Sequence, residues 1–363
     1  MIKSIAVNIL TGASVVTALL TVLVGYSDRI NPADHPTIGC VGMVFPFFLV
    51  VNAAFLFAWV LIRWRRAWIP LAAFLAAYSP MRTYIPLHSK SDIPDGCIKV
   101  LSYNVAGYGG NYKYDNGLDT IMGYLRRQDA DIVCLQEDMS AKFNPVERMP
   151  ELYPYNDTVH ITPPDVPTIN AVGIHSRFPI LRHERISYES RSNGSVAFFL
   201  QVGNDTVIVI NNHLESTHLS TDDRNRYKDM LSGNMNRNEA QAETRHLLDK
   251  LGDAMSRRAV QADAVHNYVN EHLSHYPIIV CGDFNDTPIS YTRHTIAKGL
   301  TDCYVETGMG PGISFNTRGF SFRIDHIMCS THFTPYNCTV DSHIDVSDHY
   351  PVYCWLSTER FVK

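Results

Sequence analysis

Residues 277–286 read Pro-Ile-Ile-Val-Cys-Gly-Asp-Phe-Asn-Asp. Three β-branched residues and a cysteine, bounded by Pro277 and Gly282, form the kind of apolar run that makes a buried strand. The run breaks at a glycine and delivers Asp283, Asn285 and Asp286 to its end. The same arrangement recurs along the chain. The strand at 98–103 ends in Asn104, that at 131–135 in Gln136 and Glu137, and that at 206–211 in Asn212, His213 and Glu215. Arg323-Ile324-Asp325-His326 opens a strand at 324–329, and Ser347-Asp348-His349-Tyr350-Pro351 precedes a last one at 352–355. Further strands are expected at 171–175 and 195–202.

Taken singly, an Asp or Asn after a strand is a turn former, and a lone histidine is a hydrogen-bonded structural residue. Six such sites in one domain carry more weight. Carboxylates, amides and imidazoles at neighbouring strand ends converge on one face of a sheet.

Helices are expected at 118–127 and across much of 222–272, where Leu247, Leu248, Leu251, Val265, Val269 and Leu273 recur at helical spacing. Strands mixed with helices make residues 97–363 one α/β domain. The helical stretch before the 277–281 strand is longer than connections in compact domains usually are. Its charges, among them Asp222, Asp223, Arg224, Arg226, Arg257 and Arg258, suit a solvated helix face, or else a lid or partner surface. The proline-rich piece at 161–167 reads as an exposed loop.

Composition separates this domain from what precedes it. Only 18% of the chain is charged, against about 25% in ordinary soluble proteins. The first 90 residues hold seven basic and two acidic residues, a balance of +5, while the remainder carries −10. A disordered chain, a coiled coil and a strongly basic nucleic-acid binder are excluded. Residues 4–27 and 36–62 lack Lys, Arg, Asp and Glu, and each is long enough to cross a hydrocarbon core of about 20 residues. A third uncharged run, 67–81, extends towards Leu87 past Arg82, with Trp64, Trp68, Tyr78 and Tyr84 placed as interfacial anchors. Residues 1–90 are therefore expected to be a membrane anchor of two or three transmembrane helices, and 91–96 a linker. A cleaved signal peptide is the competing reading of the first segment.

Arg63, Arg65 and Arg66 lie in the connection after the second span, which the positive-inside bias makes cytoplasmic. Three spans would then put the domain outside the cytoplasm, in a bacterium the periplasmic side of the inner membrane. Two would leave it inside. Seven cysteines follow residue 90 without paired short spacing, so neither a disulfide framework nor a zinc site is indicated. Cys134 and Cys281 read as small core residues.

Oxygen donors such as Glu137, Asp348 and Asn104 suit Mg²⁺ or Mn²⁺, ions that take a few carboxylates, waters and a substrate phosphate. These motifs, in this order over about residues 97–358, resemble those of the endonuclease/exonuclease/phosphatase superfamily, which includes deoxyribonuclease, sphingomyelinases and tyrosyl-DNA phosphodiesterases. The resemblance implies two β-sheets packed face to face with helices outside, a four-layer α/β sandwich, with a phosphoester-cleaving site at one end.

It also implies roles. Asn104 and Glu137 would hold the ion, with Asp348 close to it. Asp283 would orient or deprotonate the attacking water, and Asn285 would bind the phosphate. Asp325 would be paired with His349, fixing its tautomer. His213 matches the branch with a histidine after this strand, as in deoxyribonuclease and sphingomyelinase.

The expected activity is divalent-metal-dependent hydrolysis of a phosphoester, most simply a phosphodiester. Substrates to weigh are a lipid headgroup and a nucleic acid; the −10 balance and the bilayer tether favour the former. His213-Leu214-Glu215-Ser216-Thr217 resembles the tyrosyl-DNA phosphodiesterase branch. The alternatives are an extracytoplasmic nuclease of the same superfamily and a non-catalytic membrane-tethered binding module. The lipid bilayer is the expected partner, and no obligate protein partner is inferred.

Overall fold

A computed structural model describes residues 2–109, 116–138, 151–162, 170–217, 220–317 and 320–358. The strands are, in chain order, β1 (Ile98–Asn104), β2 (Ile132–Gln136), β3 (Tyr155–His160), β4 (Ala171–Ser176), β5 (Ile180–Ile186), β6 (Gly194–Val202), β7 (Asp205–His213), β8 (Ile278–Asp283), β9 (Thr301–Asp302), β10 (Phe315–Thr317), β11 (Phe320–Phe322), β12 (Asp325–Cys329), β13 (Thr334–Val340) and β14 (Val352–Ser357). One sheet has the order β13-β14-β1-β2-β4-β3 and a second β5-β6-β7-β8-β12-β9, while β10 and β11 pair as a separate ribbon. Both large sheets are mixed. The β1/β2 and β7/β8 pairs are parallel within otherwise antiparallel ladders.

Alternation along each strand decides what meets what. Val100, Cys134, Ile174, Phe198, Val209, Ile279, Cys281 and Ile327 point between the sheets and form one buried cluster. Their neighbours face outward. Leu101, Tyr103, Val133 and Leu135 pack on helix Gly117–Gln128, and Ile208, Ile210, Ile278 and Val280 pack on helix Arg237–His272 through Ala262, Val265 and Val269. The result is the expected four-layer sandwich. Strands buried on both faces read as continuous apolar runs, which is why the sequence exposes them.

The strands absent from the sequence reading include every sheet edge. β13, β3, β5 and β9 end the two sheets, and Tyr155–His160 and Ile180–Ile186 are largely exposed or half-buried. Polar residues on an open face hide the period.

One other expectation is corrected, and the helical stretch resolves into two helices. Ile161 belongs to the inter-sheet core instead of an exposed loop; residues 163–167 lie outside the described segments. The helical stretch is broken into Thr221–Leu231 and Arg237–His272, each opened by a capping box, Ser220 with Asp223 and Asn236 with Glu239. The longer helix forms the outer layer: Arg237 and Arg257 lie on its solvated side, whereas Arg258 is buried, donating to Asp286 (3.2 Å) and the Glu215 carbonyl (2.9 Å).

The N-terminal part holds helices Ile2–Gly25, Phe45–Arg63, Trp68–Ala76 and Tyr78–Tyr84. Two segments, Ser4–Arg29 and Pro36–Arg66, are long and apolar enough to cross a membrane. The last two helices meet at Ala77, across which helical bonds continue: Ala77 N–H to the Ala73 carbonyl (2.8 Å) and Met81 N–H to that of Ala77 (2.9 Å). At one end of this bundle Arg66 donates to the Val7 carbonyl (3.0 Å) and to Thr11 Oγ1. At the other, Phe45 and Tyr84 make an edge-to-face ring pair.

That second end rests on the domain. Ser256 donates to the Pro32 carbonyl (2.8 Å), Asp28 pairs with His294 (3.4 Å), and Gly42 packs so closely that a Cβ there would meet the Ile289 carbonyl oxygen at 2.0 Å. Cys40 lies within the second apolar segment, Pro36–Arg66, in the short turn before helix Phe45–Arg63. Arg82 pairs with Glu306 (2.6 Å), and the buried guanidinium of Arg323 donates to the carbonyls of Thr83, Tyr84 (3.4 Å) and Pro311 (2.7 Å). The linker is pinned too, by hydrogen bonds between Ser91 and Asn337.

Gly282 on β8 has φ +128°, and a Cβ there would lie 2.0 Å from the Asn212 carbonyl oxygen on the neighbouring strand. Replacing Gly282 with Ala is expected to cost at least about 2 kcal/mol, measured as a fall in the denaturant midpoint of the full chain. Asp302 accepts from Tyr304 and Val305 N–H (both 3.1 Å) and pairs with Arg293 (2.7 Å). Burial pushes its carboxyl up, but Arg293, His326 and Arg323 outweigh that and hold it at about 2. The depressed value means its stabilisation is present above pH ~4 and is lost as pH falls through ~2. The gap in unfolding midpoint between wild type and Asp302→Asn should therefore be wide at pH 7 and narrow as the pH drops below 4.

Candidate active site

The site begins where the inter-sheet rows turn polar. Val207, Val209, Asn211 and His213 share the inner face of β7; Ile279, Cys281 and Asp283 share that of β8; Val100, Ser102 and Asn104 share that of β1. β12 runs antiparallel to β8, so its first residue, Asp325, lies opposite Asp283. Gln136 Nε2 donates to Asn211 Oδ1 (2.6 Å) across the gap between the sheets and to Ser102 Oγ (3.2 Å). Asn211 Nδ2 donates to the carbonyls of Leu135 and Gly173, both at 2.9 Å.

Alternation alone would send Glu137 outward. Its left-handed backbone, φ 51°, breaks the alternation, and its Oε1 lies 3.3 Å from Asn104 Nδ2 and 4.0 Å from His213 Nε2. The side chain is 31% exposed, so one carboxylate stands open at the mouth of the site. Behind it the buried Asp138 accepts from Tyr108 Oη (2.8 Å) and Thr158 Oγ1 (3.1 Å), and its N–H donates to the Ala171 carbonyl (3.0 Å). These bonds hold the turn that aims Glu137.

Asp283 is the centre. Its Oδ1 accepts from Asn285 N–H (2.8 Å), and Oδ2 accepts from Asn104 Nδ2 (3.1 Å) and Asn285 Nδ2 (3.3 Å). The same Oδ2 lies 3.7 Å from His213 Nε2 and 3.6 Å from His349 Nε2. Burial pushes the Asp283 carboxyl up to about 6; His349 and His213 pull it down, and Asp325 adds to the rise. The value suits a base working near neutral pH.

The two histidines are tuned apart. His349 Nδ1 lies 2.9 Å from Asp325 Oδ2. Burial opposes its charge, but Asp325 and Asp283 together hold the imidazole well above its usual range. His213 is lowered, chiefly by burial. Its Nδ1 meets Asn170 Nδ2 at 3.1 Å, and that same nitrogen donates to the Ser192 carbonyl (3.1 Å), which sets the amide's orientation. His213 Nδ1 is then the acceptor, leaving the proton on Nε2.

Asn285, in a left-handed conformation with φ 53°, also donates to the Leu214 carbonyl (3.0 Å), bracing the end of β7. Asn104 turns its nitrogen to both carboxylates, while its Oδ1 accepts from Ala106 N–H (3.1 Å). Ser347 donates to the Asn104 carbonyl (2.8 Å), which docks the 347–349 turn on β1 and leaves Asp348 half-buried next to His349, whose charge it favours. All eight sequence candidates thus gather at one end of the sandwich. Asn170 and Asp138 were missed, because neither belongs to a strand-end motif that the chemistry requires.

Asp283, Asp325 and His349 offer ligand atoms all within 4.8 Å of one another, as do Asp223, Glu243 and His246. In the second group the acids are engaged by the protein's own cations, Lys250 and Arg226, both at 2.6 Å. In the first, Asp325 and His349 are committed to each other.

Residues 101–349 match a model described as the Endonuclease/Exonuclease/phosphatase family, and residues 7–84 match one described as a domain of unknown function. No curated protein matches the chain. Truncated TDP2 of Caenorhabditis elegans is similar in fold with a TM-score of 0.51 at 16% identity, covering 73% of this chain and 99% of that one. The human Nocturnin catalytic domain with bound sulfate gives 0.51 at 17% identity over 75% and 98%. Humanized D. rerio TDP2 gives 0.50 at 17% identity over 72% and 99%. These likenesses establish the two-sheet sandwich.

Because Asp325 is a main source of the His349 shift, Asp325→Asn should move the His349 titration down towards its ordinary value. Histidine-selective NMR of the metal-free full chain reads this directly; an unmoved titration would remove Asp325 from the role.

Proposed function

We propose that this chain, which belongs to the endonuclease/exonuclease/phosphatase family, is a membrane-anchored, Mg²⁺- or Mn²⁺-dependent hydrolase that cleaves a phosphodiester with a water held by Asp283. Hydrolysis of phosphoester bonds is the reaction class of the family. The observation that carries the mechanism is a buried carboxylate flanked at 3.6 and 3.7 Å by two imidazoles, one of which is paired with Asp325.

Glu137 supports the metal assignment. It is half-buried and turned inward by a left-handed backbone, and with Asp348 it would hold the ion through the hard oxygens that Mg²⁺ prefers, while Asn104 points its amide nitrogen at Glu137 and Asp283. When bound, the ion supplies positive charge to the non-bridging phosphoryl oxygens. The protein's own residues do the rest. Asp283, poised near 6, accepts the proton of the attacking water. His349, kept cationic by Asp325, and the Nε2–H of His213 face charge that builds on the phosphoryl oxygens. Asn285, expected from the sequence to bind the phosphate, orients Asp283 instead: its backbone N–H and its side-chain amide both donate to that carboxylate.

The anchor reading rests on where the chain touches itself. Residues 28–42 and 82–91 both contact the domain, whereas Arg66 meets Val7 and Thr11 at the opposite end of the bundle. Residues 68–84 therefore return across the bundle, about 25 Å at 1.5 Å per residue, close to a hydrocarbon core of about 30 Å. Three crossings put the arginine cluster in the cytoplasm and the domain on the outer side of a bacterial inner membrane. A domain of −10 at a membrane surface favours a substrate other than nucleic acid.

Full chain in detergent should hydrolyse bis-p-nitrophenyl phosphate with Mg²⁺, stop with chelator, and recover when the ion is restored. Asp283→Ala and His349→Ala should each lower turnover by about 10²–10⁴-fold. Turnover indifferent to chelator would defeat the metal role, and turnover indifferent to both substitutions would defeat the mechanism.

A further inference from the structure

Between the site and the membrane head runs an apolar trough that the catalytic motifs do not build. Its inner part, a cavity of about 80 Å³, has Asn285 and Phe315 in its wall. The Phe315 ring lies 5.1 Å from that of His349. Its outer part, about 250 Å³, is walled by Val44, Leu247 and Leu248. Met43, Leu251 and Phe322 line both, so the two cavities adjoin across a common wall.

The outer end of that trough is at the bilayer margin. Val44 is 46% exposed and immediately precedes helix Phe45–Arg63, on which Phe47 and Val50 are each more than 60% exposed. The head, the long helix and the β10/β11 ribbon thus meet around two adjoining cavities, the inner one walled by Asn285 and by Phe315 beside His349, the outer one by Val44 where helix Phe45–Arg63 begins. Among the described residues Arg258 is the cation in the trough wall, and it is paired with Asp286 and the Glu215 carbonyl. A polynucleotide would need cations along its path; a hydrocarbon chain needs only the apolar wall that is there.

We infer that this trough takes the hydrocarbon chain of an amphiphilic phosphoester drawn from the bilayer, with its phosphoryl group at Asp283 and His349. The inference rests on the proposed hydrolase reading and names its substrate class. A chain lying in the trough leaves the site on the side that faces the membrane, so the lipid needs only to slide outward along its own axis.

The test uses full chain in nanodiscs with Mg²⁺, hydrolysing bis-p-nitrophenyl phosphate, inhibited by inorganic phosphate and by butyl, hexyl, octyl and decyl phosphate at measured free concentrations. Each methylene buried is worth about 0.8 kcal/mol, about fourfold in the inhibition constant and about 200-fold from butyl to octyl. Met43→Asp and Leu251→Asp should flatten this dependence to within about threefold. Inhibition by inorganic phosphate, unchanged in both, shows that the variants are folded; Leu251→Ala, which only widens the trough, should give an intermediate slope. Turnover with no chain-length dependence, or a dependence that survives in both Asp variants, overturns the trough and leaves the hydrolase reading intact. No turnover by wild type overturns the hydrolase reading instead. Calorimetric binding of octyl phosphate then reads the trough without turnover: weaker binding in both variants supports it, and equal binding overturns it.

Discussion

Gln136 and Asn211 meet at 2.6 Å across the gap between the two sheets, and much of the molecule is arranged around that bond. On one side of it the facing strands contribute only apolar side chains and cysteines; on the other they contribute the charged groups of the site. An amide pair is a neutral boundary between the two. Shielded from water, it is stronger than at the surface, and left unpaired it would be costly. The bond therefore holds the sheets in one relative position, and Asn104 and Glu137 from the first sheet meet His213 and Asp283 from the second only in that position.

The distances at Asp283 follow from this clamp. A carboxylate buried among an amide, a backbone N–H and two imidazoles is kept charged only by fine placement of its neighbours. The surrounding backbone bears unusual conformations to achieve it: left-handed φ at Glu137 and Asn285 and an extreme φ at Gly282. Such conformations cost of order 1–3 kcal/mol each and persist where packing over-determines them. Here the packing is supplied by Asp138 beneath Glu137 and by the close passage of Gly282 against Asn212.

Much of this was legible in the sequence, for identifiable reasons. Central strands such as Ile278–Asp283 are buried on both faces, so their residues are apolar without interruption and their ends are sharply marked. The eight candidate residues stand at those ends, where chemistry demands particular side chains. Edge strands such as Ile180–Ile186 carry polar residues on an open face and left no such mark. Asn170 sets the tautomer of His213 from a position that no periodicity singles out, and Asp138 acts only through the turn above it. The long helix carries its arginines on a solvated face as its composition suggests, with the exception of Arg258, which is buried and paired. Side-chain partners at long sequence separation have no local signature.

Arg323 shows how the two parts of the chain depend on each other. Two residues before Asp325, it buries a guanidinium whose hydrogens go to the carbonyls of Thr83 and Tyr84 in the head and of Pro311 in the domain, with Tyr304 stacked over it at 4.5 Å. A buried cation stripped of two of its three acceptors has no equivalent partners to turn to. The head is thus a structural subunit in all but covalent connection. Exchanging it for another anchor, or cutting the chain at the linker, would leave that charge without its partners in the head, two residues from the strand that carries Asp325.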